Sequence, residues 1–172
     1  MLGILALSGC ATTSGLSAKS SVSTFDGTRH VTIAPHGANC GMSMVCDGIG
    51  AEWTSSDKDR AMLFFTYWGE YRSIQGARFN IDGQIIDLAP GPNYTDFQSG
   101  HTGNAALDIS ESTSTRGFLV PLSLVQRIEA SKSVKLQLVM DNLTLDSIII
   151  DGKTTSKAYY ALGRFLAEID KR

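Results

Sequence analysis

The chain has 172 residues, of which 42% are hydrophobic and 19% charged, and its formal net charge at neutral pH is −2. That balance belongs to a globular chain long enough to bury a core, and it excludes extensive disorder. No Lys/Arg-rich run is present, so nucleic acid is not an expected partner, and no stretch approaches the ~18 consecutive apolar residues that span a bilayer as a helix.

The chain opens with an uncharged segment, Leu5-Ala6-Leu7-Ser8-Gly9, that ends at Cys10. Leu7-Ser8-Gly9-Cys10 resembles the lipobox of bacterial lipoproteins. In that family the cysteine thiol receives a diacylglycerol, the chain is cut just before it, and the new amine is usually acylated. The resemblance implies that residues 1–9 are a signal peptide, that Cys10 is lipidated, and that the membrane is a partner through this anchor. Stable anchoring follows from two or more acyl chains, since each buried CH₂ contributes about 0.8 kcal/mol. The leader is short and lacks Lys or Arg, as expected if the natural start lies upstream or the sequence is truncated. Ala11 stands where an Asp favours inner-membrane retention in enterobacterial relatives, which implies the outer membrane. The resemblance extends no further than the lipobox.

Residues 11–24 are small and polar and read as a flexible tether with a reach of roughly 20 Å. A single domain is expected from Phe25 to Arg172. Arg29 to Ala34 alternates as a first strand, ended by Pro35. With Cys10 lipidated, Cys40 and Cys46 remain, and in an oxidising envelope compartment they read as a disulfide. The alternatives are free thiols or a metal site with His36 and Asp47, whose spacing matches no usual zinc pattern. Gly50 to Thr54 and Ala61 to Tyr67 are strands. The second is central, because Met62-Leu63-Phe64-Phe65 is apolar throughout. Asp57-Lys58-Asp59-Arg60 reads as a solvated turn between them.

Arg72 to Ile81 and Gln84 to Leu88 flank Asp82-Gly83, a strong hairpin signal because a type I′ turn needs φ > 0 at both central residues. Residues 89–116 read as a long loop, with one strand around Ala105 to Ile109. Pro121 to Ala130 is a helix with a stripe of Leu122, Val125 and Ile128. Val134 to Met140 and Leu143 to Ile150 form a second hairpin. Ala158 to Lys171 is a helix capped by Thr155 or Ser156, with Glu168 placed to pair with Arg172. The expected fold is α+β, mainly antiparallel β, as a sheet or sandwich of about seven or eight strands with two helices near the C-terminus.

The chemistry-bearing candidates are few. His36, Ser43 and Asp47 make a conceivable triad, with His101 as a further histidine, but Gly41-Met42-Ser43-Met44-Val45 lacks the second Gly of a nucleophile elbow. No P-loop, GxGxxG, HExxH or EF-hand pattern occurs, so no cofactor is expected. Tyr67, Trp68, Tyr71 and Arg72 belong to the types that dominate interface hot spots and form a candidate binding surface on an expected turn. The alternative is that these rings pack the edge of the core with their polar tips exposed. Tyr94, in the Pro-framed segment 90–97, is a second candidate. The leading expectation is a noncatalytic binding or assembly module with an envelope protein partner. A cell-envelope hydrolase and a carrier of a small apolar ligand are the competing classes.

Overall fold

The computed structural model describes residues 17–38, 46–91, 95–101 and 110–171. In chain order these form β1 (Lys19–Val22), β2 (Arg29–Gly37), β3 (Cys46–Thr54), β4 (Asp57–Gly69), β5 (Ile74–Ile81), β6 (Gln84–Leu88), β7 (Asp96–His101), β8 (Ser110–Pro121), α1 (Leu122–Ala130), β9 (Val134–Met140), β10 (Thr144–Ile150) and α2 (Lys157–Ile169). Six strands make one sheet in the order β1-β2-β3-β4-β8-β7, and four make the other in the order β10-β9-β5-β6. All ladder pairings are antiparallel. The α+β, mainly antiparallel class is therefore as the sequence pattern predicts. The strands exceed the expected number, and α1 lies between β8 and β9, where the Pro121 to Ala130 pattern places a helix.

Two-residue periodicity assigns the faces. Ala61, Leu63, Phe65 and Tyr67 of β4 are buried on its inner face, and Val134, Leu136, Leu138 and Met140 do the same for β9. Phe65 meets Phe118 edge-on at 5.3 Å and Phe79 of the second sheet at 5.9 Å. The two sheets thus share one core. Helix α2 packs on β2 and β3 and buries Ala158, Ala161, Leu162 and Phe165. Its start is capped as expected: the Ser156 hydroxyl accepts from Tyr159 N at 3.2 Å. The Asp82-Gly83 turn also forms as expected, with φ of 49° and 91°.

The differences have physical causes. Strand β2 does not stop at Pro35. The ladder skips between Ile33 and His36, and this bulge accommodates a residue with no N–H to donate. Gly50 on the neighbouring strand makes room for it, since a Cβ there would stand 2.8 Å from Pro35 N and 2.9 Å from Ile33 O. β1 occupies part of the stretch read as tether. The 89–116 loop region contains β7 and the start of β8, and the strand expected at Ala105 to Ile109 lies outside the described residues. Asp57–Arg60 begins β4 instead of forming a turn, which falls at Ser55-Ser56. Glu168 pairs with Lys171 and Arg29; Arg172 lies outside the described residues.

Candidate functional site

The segment from Gly69 to Ile74 carries the chain from the first sheet to the second. It is pinned from several sides. Arg72 N donates to the buried Ser114 Oγ of β8 at 2.9 Å. Ile74 N donates to Thr95 Oγ1 at 3.0 Å, and Arg116 Nη1 donates to Ile74 O at 2.6 Å. Asp141 N reaches Ser73 O at 3.2 Å. On this braced crossover Tyr71 is 51% exposed, and it meets the 50%-exposed Phe97 of β7 edge-on at 5.8 Å. Beside the rings, Arg72 and Glu70 form an ion pair, which raises the Arg72 guanidinium above its ordinary pKa. The arrangement is a rigid pair of half-exposed aromatic rings with a charged neighbour, the residue mixture of an interface anchor.

Tyr67 does not belong to this surface. It is buried on the inner face of β4, and burial, together with the Glu70 charge, pushes its phenol upward. The strand runs on to Gly69, so the period of two that buries Phe65 also buries Tyr67. Trp68 points to the opposite face and is half-buried. Its ring lies across Gly48 of β3, where a Cβ would stand 2.4 Å from Cη2. Trp68 is therefore a cover over bare β-sheet backbone as well as a surface residue. Tyr94 lies outside the described residues.

The catalytic candidates fare differently. Asp47 and His36 both lie on the inner face of the first sheet, His36 opposite Ile49 and Asp47 opposite Tyr67. The Ser147 hydroxyl of β10 donates to Asp47 Oδ1. Burial raises the Asp47 carboxyl to about 6, against the opposing hydrogen bond from Ser147. His36 is shifted downward, by burial first and by the Lys157 ammonium second. An adjacent carboxylate would push an imidazole the other way. Ser43 and Cys40 lie outside the described residues. His101 belongs to β7, four strands away from β2 across the sheet, or about 19 Å at one strand spacing per step. Ser147 went unnoticed in the sequence. Its signal was a hydroxyl at an inward position of β10, opposite the buried Leu136.

Among the described residues, no group of three or more His, Cys, Asp or Glu is placed to hold a metal ion. A depression of about 500 Å³ opens on the second sheet, among Arg78, Asn80, Ile85, Lys135, Gln137 and Asp146. It is not an apolar chamber between the sheets, where Phe65 packs against both Phe79 and Phe118. No family model, no curated protein and no solved structure matches this chain.

Proposed function

We propose that this chain is a lipid-anchored bacterial envelope protein whose β-rich domain is a noncatalytic binding or assembly module. The anchor is Cys10, the membrane favoured by Ala11 is the outer membrane, and a Cys40–Cys46 disulfide closes the loop between β2 and β3. Cys46 is disulfide-bonded, which supports that pairing. The observation that carries the binding role is the Tyr71–Phe97 ring pair on the braced crossover. Rings held rigidly lose little entropy on association, so their burial contributes to affinity. The partner is an envelope protein, met at the edge of the first sheet opposite β1. Five strand spacings of ~4.8 Å place that edge about 24 Å from the strand nearest the anchor.

Photo-cross-linking in cells from position 71 tests this. The expected result is one stoichiometric protein partner, lost in the Y71A/F97A double variant while the unfolding midpoint stays near that of the wild type. Survival of the complex in a folded double variant would overturn the surface assignment.

A further inference from the structure

We propose that Phe25, at the tip of the β1–β2 turn, inserts into the headgroup region of the bilayer that holds the anchor and fixes the domain's orientation on it. The proposal rests on the lipid anchor at Cys10. Phe25 is 98% exposed, and Val22 at the end of β1 is 62% exposed. A loose loop would fold such a ring back onto the protein, but this turn is held open. Ser23 N donates to Thr28 O at 2.8 Å, and Gly27 N to Ser23 O at 3.0 Å. The Ser23 hydroxyl accepts from Phe25 N at 3.2 Å and from Asp26 N at 3.4 Å. The Asp26 carboxylate accepts from Thr28 N at 3.0 Å. Gly27 supplies the left-handed residue the turn needs, with φ of 73°. These bonds occupy several of the turn's polar groups with one another, and the ring stands in water.

The location selects a bilayer as the occupant. Residues 11–18 separate Cys10 from β1. Eight residues reach at most ~30 Å at full stretch. β1 adds about 14 Å between Lys19 and the turn, so the tip comes within reach of the anchoring surface. Aromatic and aliphatic side chains of surface-bound elements bury about 5–10 Å into the boundary between headgroups and acyl chains. Asp26, next in sequence, is held ionised by its bonds to Ser23 and Thr28, which keeps the turn at headgroup depth. Phe25 and the Tyr71–Phe97 pair lie at opposite ends of β4's length, since Arg29 and Asp57 mark one end and Gly69 the other. Insertion of Phe25 therefore points the ring pair away from the membrane.

The test uses the full chain, as isolated from bacterial membranes, in phosphatidylethanolamine–phosphatidylglycerol vesicles with brominated acyl chains. Phe25→Trp adds a fluorophore at the tip, Gln98→Trp adds one at the far edge, and the unsubstituted protein gives the Trp53 and Trp68 background. The expected result is strong quenching of the added emission for F25W and none for Q98W. Absence of quenching at both positions, or equal quenching at both, overturns the proposal. Intact-mass analysis of the same sample separates the causes. An acylated Cys10 with an unquenched F25W overturns the Phe25 insertion alone, whereas a chain without acyl mass overturns the anchor and the insertion together.

Discussion

Asp47 is a carboxyl placed where its charge is costly, and the consequence is a pH dependence of unusual sign. Its proton is held more tightly in the folded chain, with a pKa of about 6, than the ordinary 3.8. It therefore adds stability that is fully present below 3.8 and is lost as pH rises through about 6. At 1.36 kcal/mol per unit, the loss is on the order of 2–3 kcal/mol. His36, shifted downward, works against this between mildly acidic and neutral pH, so the comparison that isolates Asp47 is wild type against Asp47→Asn. We expect D47N to be more stable than wild type by about 2 kcal/mol at pH 7.5 and by little at pH 4. Urea titrations at both pH values would show it, and an equal difference at both would refute it. Trp68 gives a second prediction at this scale. Gly48→Ala must push the indole off the sheet, because its Cβ would stand 2.4 Å from the ring and 2.7 Å from His36 O. A loss of about 1–3 kcal/mol is expected from such overpacking, readable as a lowered midpoint with an altered Trp emission.

Elements with strong periodicity were legible from the sequence, and those without it were not. β9 alternates strictly, and its limits coincide with the expectation. α2 declares itself through Ala158, Leu162 and Phe165, and its Ser156 cap was visible. β8 was hidden because Ser112-Thr113-Ser114-Thr115 reads as loop composition. The fold uses those hydroxyls instead: Ser114 accepts the Arg72 N–H, and Thr115 bonds Thr66 across the strands at 2.8 Å. Of the proposed surface, the exposure of Tyr71 was legible, whereas Tyr67 needed the true end of β4 to be recognised as core. A contact invisible in any sequence window is Arg29. From β2 its guanidinium donates to the carbonyls of Glu168, Ile169 and Lys171, and so closes the end of α2. Carbonyls left bare at a helix C-terminus favour a cation there. Arg29→Ala should cost about 2 kcal/mol, and Arg29→Lys should recover only part of it, because an ammonium lacks the planar fork. Amide exchange in residues 165–171 should accelerate in the Ala variant. Unchanged protection there would mean that the packing of Phe165 holds α2 without help.

At the scale of the whole molecule, the question is whether two sheets and two helices unfold as one unit. The contacts argue that they do. Phe65 of the first sheet touches Phe118 beside it and Phe79 of the second sheet. Arg116, whose guanidinium stands 5.8 Å from the Phe118 ring, reaches across to Ile74 O at the start of β5 and to Gly91 O. Neither sheet can separate without exposing fully buried rings and leaving a guanidinium without its carbonyls. Both tryptophans, Trp53 and Trp68, lie on the first sheet, whereas far-ultraviolet circular dichroism reports on both sheets. The two probes should therefore trace superimposable denaturation curves, as a two-state domain requires. Phe65→Ala should lower stability by about 3–5 kcal/mol and shift both curves together. If the dichroism curve instead splits, with a phase that the tryptophans do not see, the second sheet unfolds on its own. The Phe65–Phe79 contact would then be a seam between two units and not the centre of one core.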